Sequence, residues 1–595
     1  MRTLASLALL LIGCSNATTM NTTGDAGGNV DGGGPGPGHD LAGNPPPGCV
    51  PACASKSCGD DGCGGVCGSC PADQLCSAGA CAAPSGSAQL TVDATSNVHA
   101  IHPEVYGLAF ADPSLLKALN VPLNRWGGNS TTLYNWQLDV QNLANDWYFE
   151  NTANVGSGTY GQAGYVSSSD KFVQDNAGAN AATLMTIPTI GWTPKDRVPD
   201  HPFTCGFPIE KYPNQQSTDP YDAHCGNGKD SSGNPIVGDP SNDAMAAPPS
   251  FEGQWVQHMV STFGMGGVHY YQLDNEMMLW DSTHQDVWKT PVSSDDVWNA
   301  TLNYAPAIKA ADPMALVLGY VAWSPMDILI SGVDSANGNH NDQMAHGGIP
   351  LGQWYLQQLA TYEKQNGKRI VDCFDMHYYP QGGDALDTTR SLWDPTYTDP
   401  SWYNDVYQEP IQLFPRIQGW INQEYPGTGI CISEYNFNLN DQNNAEAGLV
   451  EADLLGLYGK YGVRLAAYWT TPVDGNGNPQ PPYRAFQIFR NYDGANGRFA
   501  DWSVGAASTL PKVAIYAAAD AQTSAGKLTI IIINKETQAT NATLGLQNFN
   551  ATGSAQLWQV LQNAAPAKQA DVTISANQLS LSLPASSISL LVVGQ

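Results

Sequence analysis

From about residue 88 onward the chain alternates between short apolar runs and amphipathic stretches. Runs at 182–188, 269–273, 315–320, 370–376, 429–433 and 465–469 are too short for helices, and each leads into a polar or aromatic cluster. Between them, stretches such as 295–310 and 445–461 repeat their apolar residues at helical spacing. Strand and helix in alternation, with polar residues gathered where strands end, predict a parallel α/β barrel, the (β/α)8 or TIM-barrel arrangement, over residues 88–510. Residues 204–249 break the rhythm. They are rich in Asn, Asp, Gly and Pro and hold Cys205 and Cys225, which reads as a loop insertion stapled by one disulfide. Cys373 and Cys431 fall inside strand-like runs, where the expectation is a pair of buried thiols.

After about Leu510 the texture changes. Runs at 527–534, 541–546, 555–560 and 587–593 are strands separated by turns, with no helical periodicity between them. They predict an antiparallel β-sandwich over 511–595. Residues 89–92 form one more such run, so 88–100 is a candidate strand of that sandwich.

The first residues carry Arg2, an apolar run at 4–12 and the ending Leu11-Ile12-Gly13-Cys14. That run is too short to span a bilayer and reads as an export signal. Its ending resembles the bacterial lipoprotein box, which implies lipidation of Cys14, a signal peptide over 1–14 and a lipid anchor. Ser15 stands where an inner-membrane retention signal has Asp, so the expected location is the outer membrane or cell surface, or the secreted fraction. Residues 15–48 lack large apolar side chains and read as a Gly/Pro-rich tether. Eight cysteines follow within 49–82: Cys49, Cys53, Cys58, Cys63, Cys67, Cys70, Cys76 and Cys81. In an exported chain, an even count in a tiny Gly-rich module favours disulfides over zinc. With no aromatic residue to stack on a sugar, the module reads as a spacer.

Composition narrows the ligand. Only 13% of residues are charged, and 54 acidic against 25 basic residues give a net charge of −29. No basic face is visible, which excludes nucleic acid as the main partner. A neutral-polar surface with 16 Trp and 26 Tyr suits a hydroxyl-rich neutral ligand such as a sugar.

Two sites could carry chemistry: Leu273-Asp274-Asn275-Glu276 and Ile432-Ser433-Glu434-Tyr435-Asn436. Each puts a Glu just past an apolar strand, where barrel active sites are built, at the spacing expected of strands four and seven. Two carboxyls are what glycosidic cleavage requires, one held protonated for the leaving oxygen and one ionised at the anomeric carbon. No phosphate-binding Gly loop, HExxH zinc motif or Gly-x-Ser-x-Gly elbow competes with them. The acidic cluster at 293–296 is either a structural calcium site or a solvated helix start. No cofactor is required by this chemistry, and a monomer is expected.

The segment Arg125-Trp126-Gly127-Gly128-Asn129 through Trp136, with Leu273–Glu276, Leu279-Trp280, Ser282-Thr283-His284 and Ser433–Asn436, resembles glycoside hydrolase family 44. The resemblance runs from about residue 88 to the end of the sequence. It implies a barrel with a β-sandwich that cleaves internal β-1,4 bonds of cellulose-type glucans or xyloglucan with retention. It further implies Glu276 as acid/base and Glu434 as nucleophile. Met277 departs from the pattern, which has Pro after this Glu. Asn275 is expected to donate to the sugar 2-hydroxyl, and His377 and Tyr435 to orient Glu434 or touch the sugar. Trp126 and Trp469 are candidate floors for sugar rings, and Trp393 and Trp402 candidates for outer subsites. Arg125 is expected to brace carboxylates. Two alternatives stay open: a xylanase, mannanase or arabinofuranosidase of the same clan, and a non-catalytic glycan-binding protein on the cell surface.

Overall fold

Eight short strands, all parallel, close into a barrel in the computed structural model, which describes residues 53, 75–77, 80–82, 87–438, 442–561 and 563–594. We number them β1 (Gly107–Ala109), β2 (Leu123–Trp126), β3 (Ala182–Ile187), β4 (Tyr270–Leu273), β5 (Leu316–Ala322), β6 (Cys373–Tyr378), β7 (Gly429–Tyr435) and β8 (Leu465–Tyr468). Neighbours in the chain are neighbours in the sheet, and β8 pairs with β1 to close it. The export signal with Cys14, the tether and most of the Cys-rich module lie outside the described residues. Within that module Cys53 is disulfide-bonded, and Leu75–Ser77 pairs antiparallel with Ala80–Ala82.

Because side chains on a strand alternate in direction, the barrel interior fills in layers. The lowest layer is Leu123, Leu184, Tyr270, Leu318, Cys373, Cys431 and Leu465. One step higher on the same strands stand Arg125, Thr186, Gln272, Asp375 and Ser433, all essentially without solvent exposure. This apolar floor under a polar layer sets the depth at which the strand ends present their side chains.

Cys373 and Cys431 form a disulfide, with Cα atoms 5.9 Å apart, so the expectation of buried thiols is corrected. Both point into the barrel from adjacent strands, and that separation lies within the range a bridge needs. Each run considered alone concealed the adjacency of β6 and β7. Cys205 and Cys225 are bonded as expected, closing the insertion between β3 and β4. The acidic cluster at 293–296 is a helix start: Ser293 and Asp296 form a reciprocal cap at the head of helix Ser294–Ala311.

The described residues divide into two compact units: 101–442 with 457–472, and 87–100 with 443–456 and those from 473 onward. The second unit holds a separate sheet, antiparallel apart from one pair. Ser87–Asp93 lies between Trp502–Ser508, its antiparallel neighbour, and Thr540–Gln547, its parallel one. Strand Ser87–Asp93 alternates exposed and buried positions, and Leu90 and Val92 enter a core with Ile530, Ile532 and Leu544. Strand Trp502–Ser508 belongs to this sheet although it precedes residue 511.

Candidate active site

The carboxylates stand where β4 and β7 end, and both get there through local distortion. Beyond β4 the backbone of Asp274 (φ +64°) and of Glu276 (φ +46°) is left-handed, a conformation that costs a non-glycine residue free energy unless its surroundings hold it. Asp274 does the holding. Its carboxylate accepts from Thr132 Oγ1 (2.7 Å), Thr189 N (2.5 Å), Asn275 N (2.8 Å) and Trp280 Nε1 (3.3 Å). Met277 opens the short 3-10 helix Met277–Leu279 and is wholly buried. A first helical position is one that Pro also occupies readily, so Met277 and the Pro of the resembling pattern suit the same backbone.

On β7 the device is a shift in register. Met376 is opposite Ile432, but His377 is opposite Glu434, so β7 carries one extra residue at Ser433. The pairing with β8 shifts at the same place. Without the extra residue Glu434 would share the outward direction of Ile432; with it, Glu434 joins His377 on the inner face.

A hydrogen-bonded cluster binds the two ends together. Arg125, fully buried, donates from Nη1 to Glu434 Oε2 (2.5 Å), from Nη2 to Asn275 Oδ1 (2.8 Å) and from Nε to Gln272 Oε1 (3.0 Å). Tyr379 donates its hydroxyl to Glu434 Oε1 (2.5 Å). His377 Nδ1 lies 2.8 Å from Glu276 Oε1 and 3.8 Å from Glu434 Oε1. One ligand-type atom from each of Glu276, His377 and Glu434 lies within 4.8 Å of the others. That set could also hold a cation, but the Arg125 guanidinium already supplies positive charge against Glu434.

Burial makes the carboxyls unequal. Desolvation pushes Glu276 up to about 7, against the Arg125 charge. Burial presses His377 down to about 3, which leaves the imidazole neutral. Asp146 is also raised to about 7, by burial and by the charges of Glu276 and Glu434, and accepts from Asn129 (3.1 Å). Asn275 is locked in the same network, accepting from Gly128 N (3.1 Å) and donating to Asn129 Oδ1 (3.1 Å).

The remaining expected residues are placed less uniformly. Trp126 is a correction: it faces outward from β2 because Arg125 faces inward, and it packs among Phe110, Tyr134 and Phe172. Tyr435 is another, wholly buried beside inward-facing Glu434 and set edge-on against Tyr458 and Tyr468. Trp469 does reach the site, where the Arg125 guanidinium sits 5.8 Å from its ring, but it is 2% exposed and so offers no open face to a sugar. Trp393 is half-buried with the Lys460 ammonium 5.7 Å from its ring, which sets it against the helical layer rather than over the strand ends. Trp402 packs on Tyr403. Sequence reasoning passed over Tyr379 and Gln272, and also Asp146. For Gln272 the signal existed, since it shares the inward direction of Tyr270 on β4.

The two glycines after Trp126 have separate jobs. A Cβ on Gly127 would lie 2.2 Å from Arg125 Cζ, and one on Gly128 (φ +97°) would lie 2.8 Å from the Trp469 ring. Only glycine lets this loop close down on the guanidinium and the indole.

A model of glycoside hydrolase family 44 matches residues 140–382, a span that includes Glu276 and His377. Endoglucanase A of Paenibacillus lautus is 27% identical over 532 residues, covering 83% of this chain and 71% of that protein. Among solved structures, CelM2, a bifunctional glucanase-xylanase from a metagenome library, is 36% identical with a TM-score of 0.79, covering 85% of this chain and 99% of its own. A family 44 xyloglucanase of Paenibacillus polymyxa, solved with xyloglucan, shares the fold at 24% identity, with a TM-score of 0.70 and coverage of 86% and 100%.

Proposed function

The chain belongs to glycoside hydrolase family 44 and is a glycoside hydrolase, and from that premise we propose an endo-β-1,4-glucanase that cuts cellulose-type glucan or xyloglucan with retention. Glu276 is the acid/base and Glu434 the nucleophile. The observation that carries this reading is the closeness of the carboxylates: their facing oxygens are within 4.8 Å. Retaining pairs stand about 5–5.5 Å apart, whereas inverting pairs leave about 6.5–9.5 Å for a water between them.

In the first step Glu434 attacks the anomeric carbon while Glu276, protonated through its raised pKa, gives its proton to the leaving oxygen. Arg125 and Tyr379 hold the Glu434 carboxylate aimed until the bond forms. Asn275 has its amide oxygen engaged by Arg125 and Gly128, so its nitrogen side meets the sugar 2-hydroxyl, a contact that strengthens in the transition state. In the second step Glu276, now ionised, takes a proton from the water that releases the sugar from Glu434.

Reducing-sugar release from carboxymethylcellulose, xyloglucan, xylan and mannan by wild type, Glu434→Gln and Glu276→Gln tests the assignment. Glu434→Gln should lose turnover to background, and Glu276→Gln should lose roughly 10²–10⁴-fold. Equal release by wild type and Glu434→Gln would sink the mechanism. Proton NMR of the first product should show the β-anomer, and an α-anomer would mean inversion. A second reading, that xylan is cut as well, is favoured by the bifunctional glucanase-xylanase among the relatives, and the xylan arm reads it. We also propose export and lipidation at Cys14, with labelled palmitate entering wild type but not Cys14→Ala.

A further inference from the structure

Outside the barrel mouth, the insertion between β3 and β4 helps bury two carboxylates, each with one oxygen that no hydrogen bond satisfies. Glu150 is 1% exposed and Asp219 is 2% exposed, and neither Glu150 Oε1 nor Asp219 Oδ2 has a hydrogen-bond partner. His201 Nε2 lies 3.9 Å from that same Asp219 oxygen. One ligand-type atom from each of these three residues is within 4.8 Å of the other two. The Cys205–Cys225 disulfide pins the arrangement: Glu150 bridges to Cys205, and Asp219 N donates to Cys225 O (2.9 Å). Asp222, nearby, is already engaged by the backbone N–H groups of Phe203 and His224.

An unpaired buried carboxylate is costly, and two facing each other cost more. Such a pair is relieved by a shared proton or by a cation of matching charge. The imidazole at the rim decides between them, because a shared proton gives His201 nothing to do. Two carboxylates and a neutral imidazole leave a charge that one dication cancels. A mixed N/O donor set of this kind is one zinc takes, whereas calcium prefers oxygen alone.

We propose that Glu150, Asp219 and His201 bind one divalent transition-metal ion of the zinc class, which ties the disulfide-closed insertion to the strand segment before it. The inference is independent of the proposed substrate and of Glu276 and Glu434.

The test uses the full chain under non-reducing conditions, stripped with chelator and dialysed against zinc alone. Wild type should retain one zinc more than Asp219→Asn, and zinc should raise the Tm of wild type but not of that variant. His201→Ala, altered at a ring that is 45% exposed, should bind this zinc on the order of tenfold or more weakly. It carries the test if Asp219→Asn does not fold. Zinc taken up by the cysteines upstream or at the barrel mouth is common to all three proteins and cancels in the comparison. Equal zinc content and equal Tm shifts in wild type and His201→Ala would overturn the site, as would a wild type that gains neither.

Discussion

In the proposed mechanism His377 determines which oxygen of Glu276 is available to react. Its Nε2 faces Arg125 Nη2 at 3.3 Å, and a guanidinium can only donate, so Nε2 must accept. The neutral ring therefore carries its proton on Nδ1 and donates it to Glu276 Oε1 at 2.8 Å. When Glu276 is protonated, the proton is left on Oε2, away from the histidine. The rate should follow that proton, with kcat/KM falling as pH rises through about 7, where Glu276 ionises. A donor to a carboxylate favours its ionised form, so removing the donor raises the pKa. His377→Phe should thus move the alkaline limb to higher pH; a limb that stays in place would refute the tautomer argument. Legibility at this scale was mixed. Glu276, Glu434 and Asn275 stood out in the sequence because a strand end and a polar cluster coincide there. Tyr379 did not, because its neighbours in Met-His-Tyr-Tyr-Pro are equally polar and only the direction of each side chain separates them.

Strand direction is where reading by element succeeded and failed. The run of Leu123 and Arg125 on the inner face follows from simple alternation, and the same rule sends Trp126 outward, away from any sugar. Tyr435 is different. Alternation from Cys431 would place Tyr435 inside and Glu434 outside, and the extra residue at Ser433 reverses this. Nothing in the local sequence announces a one-residue shift, since it exists only relative to the neighbouring strands. The Cys373–Cys431 bridge was hidden for the same reason. Helix Pro249–Phe263 carries a further consequence of packing by element. Its first turn buries Glu252 with both carboxyl oxygens unpartnered, and burial, with the Asp274 charge beside it, raises that carboxyl well above its ordinary value. The folded protein therefore holds a proton that the unfolded chain releases above about pH 4.3, so wild-type stability declines as pH rises from there toward the folded pKa. Glu252→Gln removes that dependence. By thermal melting, its Tm relative to wild type should be higher at pH 8 than at pH 5; a constant difference would mean the carboxyl is not held neutral.

At the scale of the molecule, the sheet of the second unit takes strands from both sides of the barrel sequence, with Ser87–Asp93 seated between segments more than four hundred residues later in the chain. The sequence showed runs 89–92 and 541–546 as strands but not their parallel pairing, which alternation alone cannot distinguish from an antiparallel one. The charge is likewise a property of the whole chain. A net −29 with only 13% charged residues gives a negative field that no single group creates. Such a field slows the approach of a polyanion and leaves a neutral polymer alone. It also reaches about 30 Å at 0.01 M salt but only about 8 Å at 0.15 M. Carboxymethylcellulose is anionic and xyloglucan is not, so the two should respond to salt in opposite degrees. Initial rates at low substrate should rise with ionic strength on carboxymethylcellulose and stay flat on xyloglucan. If both rise together, salt is acting on the protein's fold or on Glu276 and Glu434 themselves. A flat response on both would mean that the approach to the cleft is screened locally and that the acidic surplus serves solubility alone.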